Sequence, residues 1–263
     1  MNYSIVVQNF LKETLIFLKK QASSALFGGL MLFFLLISQY IHIPGIYRYD
    51  LLFIGALVIQ AVLIWTRMER PREILAIVIF HIFAIGMEIY KTSAAIGSWS
   101  YPEPSVLAIA TVPLFTGFMY SSVGSYIARA WRINNFLFKN LPHKAVLISV
   151  AVLIYVNFFT NHFTYDVRWI IFGLLIIIFW KTKFYVTLTH KTYRMHPLIS
   201  NGLLALFVWL AEQVGTFARV WIYPNQALQW TPVSFQMFTS WYMLLIFSFI
   251  IISLLQPKEA HGQ

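Results

Sequence analysis

The stretch LLFIGALVIQAVLIW, residues 51–65, contains no charged side chain and a single amide. It is one of eight apolar runs in the chain, and a helix needs roughly 20 such residues to cross the hydrocarbon core of a bilayer. We predict membrane spans at residues 22–43, 51–66, 74–90, 106–128, 145–160, 169–187, 198–215 and 235–256. Of the 263 residues, 59% are hydrophobic and 11% are charged, whereas soluble domains carry about 25% charged residues. The sequence therefore predicts an all-α, polytopic bundle of transmembrane helices.

Residues 1–20 differ from these runs because charged side chains, Lys12, Glu13, Lys19 and Lys20, interrupt the apolar ones. We predict an N-terminal amphipathic helix that lies in the membrane interface. The charges also break up the apolar core that a cleavable signal peptide needs. The chain contains no cysteine, which excludes disulfides, cysteine-bound metals and a thiol nucleophile.

The basic residues are distributed unevenly between the predicted loops. Fifteen of the 19 lie in the N-terminal segment, in alternate loops and in the C-terminal tail, and four other loops hold one each. Because Lys and Arg accumulate on the cytoplasmic side, we predict a multi-pass protein of the cell membrane with both termini in the cytoplasm. The same rule accounts for the net charge of +10, so we expect the lipid bilayer as a partner and no nucleic acid.

The chain repeats its own motifs at a nearly constant interval. The pairs are Trp99-x-Tyr101-Pro102 and Trp221-x-Tyr223-Pro224, Glu88-xxx-Thr92 and Glu212-xxx-Thr216, Tyr49-Asp50 and Tyr165-Asp166, and Pro113 and Pro232. Their offsets run from 116 to 124 positions in one chain order. Four spans separate the copies, an even number, so both copies have the same orientation. We predict a parallel 4+4 internal repeat of residues 21–130 and 131–256, followed by a cytoplasmic tail at 257–263.

Each copy contributes one glutamate near the outer end of a span, Glu88 in the first and Glu212 in the second. An ionised carboxylate at membrane depth is costly, so such a residue normally faces the bundle interior and serves a function. Pseudo-symmetry would bring both into one aromatic chamber open toward the exterior, where they could act as general acid and general base. The structural alternative is that Glu88 pairs with Lys91 and Glu212 with Arg219, and that these pairs only hold the repeats together.

Other polar and aromatic residues are predicted on the same outer side. We expect substrate contacts from Trp99, Tyr101, Trp221, Tyr223, Thr92, Thr216, Asn157, His162 and His81, and supporting charges from Lys91, Arg219, Asp166, Arg168, Glu103 and Asp50. Asn157 and His162 would position water, and in a helical segment Asp166 would orient the His162 imidazole. The structural alternatives are interfacial anchoring with an Asp166–Arg168 contact and, for His81, hydrogen bonding in the core.

Several enzyme classes require motifs that this sequence lacks. Its two aspartates lie 116 residues apart, which excludes an Asp-rich magnesium–diphosphate site. HExxH, P-loop and GxSxG motifs are absent, as are the histidine boxes of membrane di-iron enzymes. No two histidines lie at matching depth in clear spans, as a bis-histidine haem would require. We therefore expect a site without metal or cofactor.

Five long motifs carry a resemblance to a known family: EIYKTSAAIGSWSYPEPS, VPLFTGFMYSSVGSYIARAW, YVNFFTNHF, WLAEQVGTF and WTPVS…SWY. Across residues 75–255 the chain resembles the bacterial YoaT-like membrane family (domain of unknown function 817), which brings no established activity. It is more loosely similar to membrane carotenoid hydratases and small lycopene cyclases, which combine a helix-borne Glu, a Gly/Thr turn and an aromatic-x-Tyr loop. That similarity implies an isoprenoid substrate. Lys91 departs from it, because those proteins tend to have Gly there, and Pro102-Glu103 is extra.

Three functions are compatible with this sequence. The first is an intramembrane acid–base enzyme, of hydratase or cyclase type, that acts on an isoprenoid or other apolar lipid and stabilises a cation with Trp and Tyr rings. The second is a transporter or proton-coupled permease with Pro113 and Pro232 as flexible points; against it, the cytoplasmic half of the predicted bundle carries no intramembrane charge. The third is a non-catalytic scaffold. A cavity restricted to the outer leaflet would favour the enzyme, and a pathway open at both ends would favour transport. The sequence does not determine the substrate or the oligomeric state.

Overall fold

The fold is that of a computed structural model, which describes residues 3–188 and 191–255, with side chains from residue 11 onward. The described residues form nine α-helices: α1 Tyr3–Ser24, α2 Leu26–Ser38, α3 Arg48–Trp65, α4 Pro71–Thr92, α5 Phe115–Ile133, α6 Lys144–Thr160, α7 Arg168–Phe179, α8 Pro197–Phe217 and α9 Gln236–Leu255. Each predicted span overlaps one helix of the series α2–α9. The protein is mostly helical, as predicted.

Four of these helices, α3, α4, α8 and α9, are long and apolar enough to cross a membrane. A fifth candidate combines Leu11–Ser24 with α2, which meet at a bend of 67°. The Ser24 hydroxyl donates to the carbonyl of Lys20 one turn earlier, at 2.8 Å, and such bonds often bend helices. Helices α6 and α7 are apolar but have 17 and 12 residues. Several helices can thus span a bilayer, which indicates a membrane protein.

The predicted span at residues 106–128 is wrong in its first part. A small antiparallel hairpin of β1 Ala108–Ile109 and β2 Val112–Pro113 precedes α5, which begins only at Phe115. Pro113 has no N–H and would break a helix interior, whereas the hairpin pairs its own backbone groups. Helix α5 then continues to Ile133, five residues beyond the predicted end.

The prediction of an all-α fold also needs correction, because the described residues include a three-stranded antiparallel sheet. Its strands are β3 Leu137–Lys139, β4 Lys183–Thr187 and β5 Thr192–Met195, in the order β3-β4-β5. Phe184 of the middle strand lies opposite Phe138 on one side and Met195 on the other. The predicted span at 169–187 ends early as a result: α7 stops at Phe179, and the aromatic and β-branched residues of KFYVT favour a strand.

Helix α9 lies at the centre of the helix packing, with contacts to α4, α5, α6 and α8. The C-terminal ends of α4, α6 and α8 meet at one end of the bundle, here called the upper end. There the Tyr90 hydroxyl donates to the carbonyl of Phe159 at 2.5 Å, and the backbones of Ser100 and Ile222 exchange two hydrogen bonds of 3.0 Å. The sheet β3-β4-β5 lies toward the opposite, lower end, because its strands connect the lower ends of α5, α6, α7 and α8.

Candidate functional site

A cavity of about 1000 Å³ runs along the inside of the bundle. Lys91 and His162 line it at the upper end, and Phe138 and Phe184 line it toward the lower end. Helix α6, which extends between these ends, has 17 residues and is therefore about 25 Å long. Most lining residues are aliphatic or aromatic. The cavity offers an elongated apolar volume that reaches along most of the bundle.

Glu88 is carried by the last turns of α4 and is 2% exposed. Its Oε2 accepts hydrogen bonds from Trp99 Nε1 at 2.8 Å and from the Tyr101 hydroxyl at 2.7 Å. Its Oε1 accepts from the Tyr120 hydroxyl at 2.8 Å. Glu88 therefore has three neutral aromatic donors, two from the loop after α4 and one from α5.

Glu212 occupies the matching position on α8 and is 4% exposed. Its Oε1 accepts a short hydrogen bond from the Tyr223 hydroxyl, and its Oε2 accepts from Trp241 Nε1 at 2.6 Å. The donors of Glu212 come from the loop after α8 and from α9. The donors of Glu88 come from the corresponding elements, the loop after α4 and α5. The two carboxyl groups are thus held by the same kind of environment on corresponding helices.

The two carboxyl sites are in direct contact through their aromatic donors. The ring centroids of Trp99 and Tyr223 lie 6.3 Å apart, and those of Tyr120 and Trp241 lie 5.7 Å apart. Glu88 and Glu212 both line the one cavity, together with Trp99, Tyr101, Trp221 and Tyr223. The structure therefore brings the two predicted carboxyls and their predicted aromatic partners into one place.

The tyrosine hydroxyls in these sites are donors rather than phenolates. Burial, together with the neighbouring Glu88 carboxyl, raises the pKa of Tyr101 well above its usual value. Burial and the neighbouring Glu212 raise the pKa of Tyr223 in the same way. Both hydroxyls keep their protons at neutral pH and can pass a proton along a hydrogen bond.

The structural alternative, in which each glutamate pairs with a nearby cation, is not found. Among residues 3–188 and 191–255 the ion pairs are Arg48–Glu103, Arg132–Glu73 and Arg168–Asp166. Lys91 instead contacts Asn161 Oδ1 at 3.3 Å and His162 Nε2 at 2.7 Å, and Arg219 donates to the carbonyl of Ala227 at 3.4 Å. Neither Lys91 nor Arg219 therefore pairs with Glu88 or Glu212.

The segment between α6 and α7 forms the polar upper rim of the cavity. Asp166 pairs with Arg168 at 3.0 Å and accepts from Asn157 Nδ2 at 3.3 Å, while Asn157 Oδ1 accepts from the backbone N–H of Val167 at 3.1 Å. Asn157 thus fixes the turn between α6 and α7 while it also lines the cavity. The predicted orientation of His162 by Asp166 is wrong, because residues 161–167 are not helical and His162 contacts Lys91 instead.

Four other predicted residues lie outside the cavity lining. The Thr92 and Thr216 hydroxyls donate back to the carbonyls of Glu88 and Glu212, at 2.8 and 3.0 Å, so they satisfy their own helices. His81 packs against Phe118, with ring centroids 4.8 Å apart; a Cβ on Gly117 would lie 2.5 Å from its ring. Arg219 also lies away from the cavity lining. These residues make structural contacts, and the contact recorded for His81 is ring packing rather than the hydrogen bond of the structural alternative.

Asp50 and Glu103 also lie outside the cavity lining, where they anchor the loop that carries Trp99 and Tyr101. Asp50 accepts from the Ser105 hydroxyl at 2.6 Å and from the backbone N–H of Leu107 at 2.8 Å. Glu103 pairs with Arg48 at 2.7 Å. Both predicted supporting charges therefore hold a loop rather than a ligand.

Sequence reasoning missed Tyr120 and Trp241, which complete the two carboxyl sites. A signal was present, since Trp241 follows Tyr120 by 121 positions, within the range of the other repeat offsets. An aromatic residue on an apolar helix is common in any core, so neither stands out without its partner. In the described residues no three His, Asp or Glu side chains converge as a metal site would need.

A second buried charged cluster lies at the lower end, where the loop after α3 meets α5. Arg132 pairs with Glu73 at 2.7 Å, and Arg129, 1% exposed, donates to the carbonyls of Ser23 and Met68 at 2.8 and 3.1 Å. The sequence predicted no intramembrane charge in this half of the bundle, and the structure places the buried side chains of Arg129 and Glu73 there. The cluster forms because α5 continues past its predicted end, so that its last turns bring Arg129 into the bundle and Arg132 beside Glu73.

Comparisons with known proteins place this chain in a family. A family model described as "Protein of unknown function (DUF817)" matches residues 13–249. The "Uncharacterized protein YoaT" of Bacillus subtilis (strain 168) is 39% identical over 250 residues, which cover 95% of this chain and 94% of that protein. No solved structure matches the fold. The chain belongs to the DUF817 family of proteins of unknown function.

Proposed function

We propose that this protein is an intramembrane acid–base enzyme, of hydratase or cyclase type, that acts on an isoprenoid or other apolar lipid. One observation carries the proposal: two buried carboxyls, each held by Tyr and Trp donors, line a single elongated apolar cavity. Soluble metabolites do not need an apolar volume of about 1000 Å³, which is at the upper end of ligand pockets. An extended hydrocarbon does.

The chemistry follows from the two carboxyls and the rings between them. One carboxyl in its protonated form gives its proton to a carbon of a substrate double bond, which leaves a cation on the neighbouring carbon. The faces of the Trp and Tyr rings stabilise this cation. The second carboxylate then removes a proton from an adjacent carbon, which forms a new double bond, or from a water whose oxygen bonds to the cation.

The site must return to its starting state after each turnover. The second carboxyl has gained the proton that the first one lost, so one proton has to cross between Glu88 and Glu212. The tyrosine hydroxyls that contact each carboxyl, Tyr101, Tyr120 and Tyr223, can donate and accept. The two aromatic sets touch only through their rings, so a water between the tyrosine hydroxyls would have to carry the proton from one carboxyl site to the other.

The parallel 4+4 repeat with eight spans is part of the proposal. The first copy, predicted at residues 21–130, would comprise α2–α5, although α5 ends at Ile133, and the second copy would comprise α6–α9 within 131–256. Three corresponding pairs support it: Trp99 and Trp221, Tyr101 and Tyr223, and Tyr120 and Trp241 surround the two glutamates. The bend between α1 and α2 suits an interfacial α1, and the basic-residue count supports cytoplasmic termini in the cell membrane.

Isosteric amides give the sharpest test of the proposal. In a Glu88→Gln or Glu212→Gln variant the new NH₂ can face a tyrosine hydroxyl, which accepts as well as donates, so the site keeps its shape and loses its proton. The lipids and pigments of cells that express each variant should lack the product made by the wild type. The rate of product formation should fall about 100-fold or more. Glu13→Gln on α1, the same change at a residue outside the cavity lining, is the matched control and should preserve the product.

A transporter or proton-coupled permease is the second candidate, and the extent of the cavity favours it. The cavity is not restricted to the upper half, and a buried charged cluster lies at the lower end. A permease predicts that lipid profiles stay unchanged in all strains while solute uptake falls in the Glu88→Gln and Glu212→Gln strains. That result would replace the enzyme as the preferred function.

A further inference from the structure

Lys91 differs from the other charged residues around the cavity. It is 4% exposed and lines the upper end, yet its contacts are neutral: Asn161 Oδ1 at 3.3 Å and His162 Nε2 at 2.7 Å. The other cation of this end, Arg168, is already paired with Asp166 at 3.0 Å. Among the described residues Lys91 therefore makes no ion pair, and the carboxylate whose charge it interacts with, Asp166, is already paired with Arg168.

The contacts of the Lys91 ammonium leave it able to bind more. An ammonium has three N–H donors, and Asn161 and His162 take two of them. Its Nζ also lies 4.3 Å from the centroid of the Phe158 ring and 5.9 Å from that of the Tyr90 ring, and neither ring supplies a negative charge. A buried charge without a counter-ion is costly, and an anion at this position would offset that cost.

We propose that the ligand of the cavity is an anionic amphiphile, whose phosphate or carboxylate headgroup binds Lys91 between Asn161 and His162 and whose apolar tail extends along the cavity past Glu88 and Glu212. This inference rests on the proposed function and names the class of its substrate. A plain hydrocarbon would leave Lys91 without a counter-ion.

The spacing along α4 relates the headgroup site to the chemistry. Lys91 lies three residues after Glu88, which is about one helical turn, or about 5 Å along the axis. An amphiphile anchored at Lys91 would present the first part of its tail to Glu88. The anion site would therefore select the substrate and also set which carbons meet the carboxyl.

Three probes with one tail test the proposal on the purified full-length protein in detergent: geranylgeranyl phosphate, geranylgeranoic acid and geranylgeraniol. Affinities are obtained by titrating the ligand-induced shift of the unfolding midpoint. The phosphate and the carboxylate should bind at least about tenfold more tightly than the alcohol, as a charge-assisted contact predicts. Lys91→Met should abolish this preference while still binding the alcohol, which shows that the cavity is intact, and Lys91→Arg should retain most of the preference.

Several outcomes would overturn the inference. Equal affinity of the wild type for alcohol and anions, or an unchanged preference in Lys91→Met, would show that Lys91 does not bind a headgroup. Inorganic phosphate that displaces the lipid phosphate at equal concentration would identify a free anion as the ligand instead of an amphiphile. Failure of the proposed function gives a different result, namely a headgroup preference that depends on Lys91 together with unchanged lipids in the Glu88→Gln and Glu212→Gln strains.

Discussion

The two carboxyl sites of the cavity are built from corresponding residues, but they are not equivalent. Glu88 accepts from three donors, Trp99, Tyr101 and Tyr120. Glu212 accepts from two donors, and the tryptophan of its own loop, Trp221, is not one of them. The same Trp-x-Tyr-Pro motif thus places its indole on the carboxyl in one copy and elsewhere in the other.

The residue three positions after each glutamate explains the difference. In the second copy it is Gly215, and the Trp221 ring lies so close to it that a Cβ there would be 2.2 Å from the ring. In the first copy it is Lys91, whose side chain occupies the helix surface. The Trp99 indole is therefore directed to Glu88, and one glycine-to-lysine difference changes the hydrogen bonding of a carboxyl.

This difference predicts unequal roles for the two sites. A carboxylate has about four acceptor positions, and Glu88 uses three of them whereas Glu212 uses two. Glu88 is therefore the more firmly held group, and Glu212 has more capacity to contact a ligand or a water. Four measurements test the comparison, beginning with the largest expected effect.

Removing each carboxyl should destabilise the protein in proportion to the donors that lose their acceptor. Each buried donor left unsatisfied costs about 1–3 kcal/mol, so Glu88→Ala should lower the free energy of unfolding by about 3 kcal/mol or more and Glu212→Ala by about 2 kcal/mol or more. Unfolding in mixed detergent micelles measures both, with the Gln variants as isosteric controls. Equal losses for the two alanine variants would contradict the inequality of the sites.

Gly215→Ala should disturb the second site alone. The new methyl would overlap the Trp221 ring, and such overpacking costs about 1–3 kcal/mol. Gly173→Ala on α7 is the matched control, because a Cβ there meets nothing within 4 Å, and it should be neutral or slightly stabilising. A neutral result for Gly215→Ala would show that the close contact of Trp221 does not govern the asymmetry.

Single hydroxyl deletions should have smaller effects and the opposite order, because the site with fewer donors depends more on each one. Tyr120→Phe leaves Glu88 with two donors, whereas Tyr223→Phe leaves Glu212 with Trp241 alone. One hydrogen bond contributes about 1 kcal/mol, and we expect the Tyr223→Phe loss to be the larger. Tyr40→Phe, at a residue 79% exposed, is the control and should change the free energy of unfolding very little. A larger loss of unfolding free energy for Tyr120→Phe than for Tyr223→Phe would contradict the expected order.

The smallest expected effect is a pH dependence of stability that arises from His162, which contacts Lys91 at the upper end of the cavity. Burial and the positive charge of Lys91 lower the pKa of His162 below its usual 6.5. The unfolded chain then takes up a proton before the folded one, so stability falls as the pH drops from about 6.5 through the lower, folded pKa. Unfolding midpoints measured between pH 5 and 8 should show this fall in the wild type and a shallower fall in His162→Gln. Identical profiles of midpoint against pH in the two proteins would assign the pH dependence to other groups.

Some parts of the fold were accessible to sequence reasoning because they follow from local pattern. The apolar runs located helices α2–α9, and the repeat pointed to Glu88 and Glu212 with Tyr101 and Tyr223. The hairpin at 108–113 and strand β4 were missed because a short apolar run has the same composition in a helix, a strand or a loop. The burial of Arg129 and the Arg132–Glu73 pair were missed because basic residues near a span end are normally assigned to a loop.

The sequence by itself determined a helical membrane protein with two matched acidic positions, because apolar length and internal repetition are properties of the chain alone. Only the tertiary structure decided which donors hold each carboxyl and that Lys91 makes no ion pair with the other described residues. It also showed that Thr92, Thr216 and His81 lie outside the cavity lining. The physical reason is that a side chain's partner depends on what lies opposite it in space, and residues such as Tyr120 and Trp241 become partners only when their helices pack together.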